Sequence, residues 1–333
     1  MTGATIQVGG PYFDELTIGQ IFDDAPSVTI TSGMAATHQA IVGNRMRLAL
    51  DVSLAERITG RDRAIAHPGL ICDLAIGQST LATHHVKANL FYRGLRFLRH
   101  PHVGDTLSTT TEVVGLRENS PKPGRAPTGL AALHIVTTDQ QGAVVLDFYR
   151  CAMLPLSDSP DPERVRASDD LSAIGADHST ESVMPDWDLA AFRESVRGQH
   201  FSPDLTGDVY ASSGDVVSNA PELARLTLNI AATHHDERVG TAGRLVYGGH
   251  TIGVALAQAN RALPNLVTVL GWEACDHTGP VREGDTLTSE LTVEQAIALD
   301  GGGGLLDLRS VVVAHDADGP RPVLDWRFRA LMA

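Results

Sequence analysis

Two kinds of apolar patterning follow one another along the chain, and the succession occurs twice. Around residues 68–81 (PGLICDLAIGQSTL) and 249–263 (GHTIGVALAQANRAL), apolar and small residues occupy most positions. A helix that is apolar on nearly every face belongs in a core, so these stretches predict two long buried helices, the second ended by Pro264. After each helix the pattern changes to alternation of apolar and polar residues, which predicts strands. These fall at 86–99, 106–117, 129–138 and 143–154, then at 266–275, 286–296, 305–315 and 323–332. Gly, Pro and Asp at Gly104-Asp105, Gln141-Gly142, Gly284-Asp285 and Gly301–Gly304 mark the turns. A shorter helix precedes each long one. It is expected at 32–42 with Ser32 as N-cap, and at 219–228 with Asn219 as cap and Pro221 in the first turn. Short strands are expected near 19–22 and 27–31. The pattern describes an α+β fold in which a curved antiparallel sheet wraps a long helix, twice over.

The two halves share words as well as pattern. VGDTLSTTTEV at 103–113 returns as EGDTLTSELTV at 283–293, an offset of 180 between Gly104 and Gly284. Val145-Leu146-Asp147 returns as Val323-Leu324-Asp325, an offset of 178. Such a long period indicates two copies of one domain, because solenoid repeats recur every 20–50 residues. The expected division is an N-terminal domain at 1–155, a polar linker rich in Pro, Ser and Asp at 156–203, and a C-terminal domain at 204–333.

Composition narrows the partners. With 26 basic and 40 acidic side chains the formal charge is −14, which disfavours nucleic acid, whose phosphates need a basic surface. Cys72, Cys151 and Cys275 stand alone, without a CxxC pair, and read as reduced buried thiols. No leader pattern and no run of 18 apolar residues is evident, so the expectation is a cytoplasmic protein with no membrane partner. No metal spacing such as HExxH occurs, and Gly301–Gly304 lies between strands rather than ahead of a helix, so it is no phosphate loop.

A sheet wrapped on a long helix, used twice, with GDTL opening a strand, resembles the double hot-dog proteins of the MaoC-like hydratase/dehydratase family. That family's motif, Asp-x-Asn-Pro-x-His-x-Asp, is resembled in the second copy by Asn229-Ile230-Ala231-Ala232-Thr233-His234-His235-Asp236, where Ala231 and Ala232 replace Asn-Pro, followed by Val246-Tyr247-Gly248-Gly249-His250. Asn229 stands at the family's catalytic Asp and His234 at its His. The first copy has Ala49 at the His position and Pro68 at the position of Gly248. The resemblance is nearest to the mesaconyl-CoA hydratase (β-methylmalyl-CoA dehydratase) branch, through GDTLSTT with Val114-Gly115-Leu116-Arg117, VYGGH, and His277-Thr278 ahead of the second GDT.

The resemblance implies reversible addition of water to a 2-enoyl-CoA thioester, without cofactor or metal. Such chemistry needs a group that exchanges protons and donors for an enolate-like thioester oxygen. His234 suits the first role. The backbone N–H of Gly248, at the start of the long helix, suits the second. Asn229 is expected to hold a water through its amide oxygen. His235, Asp236, Glu273, Asp276 and His277 are further acid/base candidates. Tyr247, Gly249, His250 and His277 are candidate substrate contacts. Arg93 and Arg96 could hold a substrate carboxylate or CoA phosphates, or could instead protect an exposed sheet edge. Copy two is expected to be catalytic and copy one to shape the acyl pocket, in a homodimer by default. Another medium or bulky acyl thioester, or a non-catalytic acyl-CoA-binding or partner subunit, fits the same motifs.

Overall fold

The computed structural model describes residues 8–176, 183–239 and 243–333; residues 177–182 of the expected linker lie outside them. In the first half, strands β1 (Ile21–Phe22) and β2 (Val28–Thr29) lead to helix α1 (Ser32–Val42), two short helices α2 (Arg47–Leu50) and α3 (Val52–Thr59), and the long helix α4 (Pro68–Gln78). Four long strands follow: β3 (Ala88–Phe97), β4 (Thr106–Glu118), β5 (Thr128–Asp139) and β6 (Val144–Pro155). After α5 (Leu189–Ser195), the second half repeats the plan. It has β7 (Val209–Ala211), β8 (Asp215–Val216), α6 (Ala220–Leu226), the long helix α7 (Gly248–Ala262), and strands β9 (Leu266–His277), β10 (Thr286–Ala298), β11 (Gly304–Asp316) and β12 (Gly319–Met332). All eight long strands fall where the alternation places them.

The strands form one antiparallel sheet in the order β1-β4-β5-β6-β3-β9-β12-β11-β10-β7, with β2 and β8 paired to β4 and β10. The seam between halves is β3 against β9, where Phe91 pairs with Asp276 and Arg96 with Gly271. The 180-residue offset exchanges these two pairs, so the seam sits on a pseudo-twofold axis. α4 and α7 pack together under the sheet. Every residue of α4 is buried, which matches a helix apolar all round.

The GDT words turn out to be turn-closing devices. Gly104 and Gly284 adopt φ of 103° and 94°, a backbone that suits glycine. Asp105 accepts the N–H of His102 and Asp285 that of Arg282, both at 2.8 Å. A second repeated clamp lies in Gln78 and Gln258, whose Nε2 atoms donate to the carbonyls of Leu107 at 3.3 Å and Leu287 at 2.9 Å, tying each long helix to its sheet.

Some boundaries differ from expectation for local reasons. Thr31, not Ser32, caps α1, because its hydroxyl reaches the Met34 N–H at 3.1 Å. Asn219 precedes α6 in a left-handed conformation (φ 58°) and makes no side-chain cap. The segment expected as linker carries α5, whose Phe192 is fully buried beside Leu54 and Ile58 of α3.

Candidate functional site

A cavity of about 320 Å³ opens where the two halves meet. Copy one supplies Ile76, Thr80, Lys87, Asn89, Tyr92 and Arg150; copy two supplies Asn229, His234, Tyr247, Gly248, Thr251 and His277, among others. No Asp or Glu lines it among the described residues.

The loop after α6 carries His234 on a single 3₁₀ turn, Ala232–His234. Its Nδ1 lies 2.9 Å from the Leu245 carbonyl. A carbonyl only accepts, so Nδ1 bears the proton and, in the neutral ring, Nε2 keeps its lone pair. Burial lowers the His234 pKa to about 4, against a raising effect of the Leu245 bond. The ring is therefore neutral, a proton acceptor, at physiological pH.

Asn229 is buried, and its side-chain oxygen accepts the Ala231 N–H at 3.0 Å. That bond closes a turn which sets the loop, and it takes one of the two lone pairs of the oxygen expected to hold a water. The amide NH₂ makes no hydrogen bond among the described residues and is the group Asn229 offers to the cavity. His235 donates from Nε2 to the Asn229 carbonyl at 2.6 Å and braces the same loop. Asp236 pairs with Arg238 at 2.8 Å at the surface, outside the cavity lining.

Tyr247 and His67 are the equivalent residues before α7 and α4, with φ of −60° in both. They treat the helix start differently. In copy one Pro68 has no N–H, and His67 Nδ1 accepts the Gly69 N–H at 3.2 Å, so the amides are used up. In copy two Tyr247 makes no cap; its hydroxyl donates instead to the Asp73 carbonyl of α4 at 3.2 Å. The Gly248 N–H is left at the open, partly positive helix end. His277 lines the cavity beside Gly248. Its Nε2 has no partner among the described residues, and burial lowers its pKa to about 4.

Other expected contacts lie elsewhere. Gly249 faces α4: a Cβ there would come 1.9 Å from Asp73 Oδ1. His250 is fully buried outside the cavity lining. Arg93 is on the far side of the sheet seam, paired with Asp276 at 2.7 Å, and Arg96 lies on the outer sheet face, 3.5 Å from Asp147. Glu273 also lines an outer-face depression. Strand parity explains these placements, since neighbouring residues point to opposite faces. The arginine that does reach the cavity is Arg150, which is absent from the candidates that the motifs suggest. A signal for it exists in the sequence: in β6 it shares parity with the buried Phe148, Ala152 and Leu154.

The pseudo-twofold mate of this cavity is filled. Phe97 stands for His277, Trp272 for Tyr92, Pro68 for Gly248 and Phe328 for Arg150. Register supports the last pair, because Tyr92 pairs with Arg150 and Trp272 with Phe328. Only about 10 Å³ remains there.

Comparison with known proteins agrees with this two-copy plan. No family model matches the chain. The β-methylmalyl-CoA dehydratase of Chloroflexus aurantiacus is 30% identical, over 97% of each chain. The mesaconyl-CoA hydratase of Cereibacter sphaeroides is 28% identical, over 93% of this chain and 91% of the relative. The chain belongs to the MaoC-like double hot-dog hydratase/dehydratase family. Among solved structures, a conserved hypothetical protein of Mycobacterium tuberculosis with a double hotdog fold is 62% identical, with a TM-score of 0.94 over 98% of this chain and all of that one. A MaoC domain dehydratase from Chloroflexus aurantiacus is 28% identical, with a TM-score of 0.83 over 98% and 99%. The structure gives Asn229, which departs from the resembled motif, a buried, turn-closing place.

Proposed function

We propose that this protein catalyses reversible hydration of a 2-enoyl-CoA thioester to the 3-hydroxyacyl-CoA, acting on a short branched dicarboxylic acyl group of the mesaconyl-CoA/β-methylmalyl-CoA kind. The observation that carries this reading is His234 held by Leu245 with a free Nε2, in the same cavity as the uncapped start of α7. The relatives' names agree in reaction and in substrate class.

In this reading the thioester oxygen lies against the Gly248 N–H, whose helix end stabilises the negative charge that develops there. His234 Nε2 takes a proton from water as the oxygen adds to the β-carbon, and the resulting imidazolium returns a proton to the α-carbon. The double bond is lost, one C–O and one C–H bond form, and the base is regenerated. The free amide of Asn229 and Nε2 of His277 position the water. Dehydration is the reverse. The Lys87 ammonium, exposed at the rim, meets the phosphates of CoA.

The test is loss of enoyl-thioester absorbance with mesaconyl-CoA and crotonyl-CoA, for the wild type and His234→Ala. Turnover of either that disappears in the variant supports the reading. Absence of wild-type turnover with both, or full activity in the variant, overturns it.

A further inference from the structure

Arg150 is an anomaly in the fold. It occupies an inward position of β6 with 2% of its surface exposed, in a row with Phe148 and Ala152, which are fully buried. A buried charge is normally matched by an opposite one. Arg150 has none among the described residues: its bonds there run only to neutral acceptors, the Ser79 carbonyl at 3.3 Å, the Thr83 hydroxyl at 2.8 Å and the Asn89 side-chain oxygen at 3.4 Å. The guanidinium has five N–H groups, so these three bonds leave two over, one on Nη1 and the one on Nε. Among the described residues Nε is without a partner, as is the Nδ2 of Asn89 beside it.

Two half-buried arginines of the second half show the usual pairing. Arg309 is paired bidentately with Asp325, at 2.9 and 2.6 Å, and Arg329 with Asp307, at 2.6 and 2.8 Å. In a protein of net charge −14, the described residues of this one cavity hold Arg150 and Lys87 and no acid. The pseudo-equivalent of Arg150, Phe328, is buried and stacks on Trp326. The equivalent place in the second half is thus completed by an apolar residue, without a cation.

We infer that Arg150, with the Asn89 amide, is the receptor for a carboxylate at the far end of the acyl group, making the protein selective for mono-CoA thioesters of dicarboxylic acids. The inference rests on the cavity being the acyl-CoA site. It names the residue that reads the acid. The ligand supplies the missing anion, and a neutral acyl tail would leave the buried guanidinium uncompensated. Discrimination then comes as much from that uncompensated charge as from the ion pair an acid forms with it.

The experiment compares thioesters that differ only in a carboxylate for a methyl group. Calorimetric binding of succinyl-CoA and butyryl-CoA needs no catalysis. The wild type is expected to bind succinyl-CoA about 100-fold more tightly, Arg150→Met to lose that preference, and Arg150→Lys to keep part of it. Equal binding of the two by the wild type, or binding of neither, overturns the assignment. So does a preference that survives Arg150→Met. If Arg150→Met does not fold, the wild-type and Arg150→Lys comparisons decide. Kinetics with fumaryl-CoA and crotonyl-CoA separate this inference from the proposed reaction. Selective binding without turnover of either keeps Arg150 as the receptor and removes the hydratase reading. Turnover of crotonyl-CoA with no selectivity for the acid does the reverse. An equal fall with both substrates in Arg150→Met marks a structural or oxyanion role and overturns the inference.

Discussion

The imidazole of His277 occupies the space that a side chain on Gly248 would need: a Cβ there would lie 2.7 Å from its Nε2. Gly248→Ala therefore has to displace a ring that faces the cavity. The expected result is a folded protein whose kcat/KM falls by roughly 10²-fold, the scale of one misplaced donor. Circular dichroism and steady-state kinetics check it; undiminished activity would separate Gly248 from the chemistry.

Gly249→Ala should act on stability instead. Its Cβ would collide with the Asp73 carboxylate, which is buried in α4 and bonded to His38 at 3.1 Å. Overpacking of this kind costs about 1–3 kcal/mol, and urea unfolding should show it. A stability equal to wild type would mean that α4 and α7 separate freely at this point.

The pH–rate profile follows from His234. With its pKa lowered to about 4 by burial, Nε2 stays a free base well below neutrality. kcat/KM of the free enzyme is expected to be flat from pH 8 to about 5, then to fall with the gain of one proton. An inflection near 6.5, where an ordinary imidazole titrates, would show that His234 is solvated or is not the base.

Stability has its own acid dependence. Burial lowers the pKa of His100, His234, His250 and His277 to about 4, and likewise that of His102, where the arginines nearby also lower it. These rings ionise near 6.5 when unfolded. Between pH 6.5 and 4 the unfolded chain binds more protons than the folded one, so stability is greatest above 6.5 and declines as pH falls through that window. Thermal melting at pH 7.5 and 5.0 measures this. An unchanged Tm would mean that these rings are charged in the native state or already neutral in the unfolded one.

Asn229→Ala removes the acceptor of the Ala231 N–H and loosens the loop that holds His234, whereas Asn229→Asp keeps that acceptor. The alanine variant should lose activity by about 10²-fold or more, with the aspartate variant retaining more of it. Equal loss in the two would make the Asn229 NH₂, not the turn, the feature that matters.

The elements were legible because each follows from local patterning: period two marks the eight long strands, and unbroken apolar character marks α4 and α7. The repeat also exposes the asymmetry at Ala49, Pro68, His234 and Gly248. Three things were hidden. Helix α5 lies in a polar stretch that reads as linker and is held by its one buried side chain, Phe192. Helices α2 and α3 have mixed composition and take their stability from packing on Leu48, Leu54 and Ile58. Arg150 was hidden because an arginine in a strand reads as surface until the parity of its neighbours is followed. Arg93 and Arg96 are the more conspicuous cations in sequence, yet the seam with β9 directs them away from the cavity.

The filled mate of the cavity carries a consequence for how this molecule can change. In a symmetric dimer of single-copy chains, each substitution is made twice, once at each of two identical sites. Here Arg150 and Phe328, or His277 and Phe97, hold equivalent places yet are separate letters of one chain. Under the proposed function, the wall that holds the reacting atoms and the wall that fits the acyl tail can therefore vary independently, and a new substrate preference can arise without disturbing the residues proposed to move the proton.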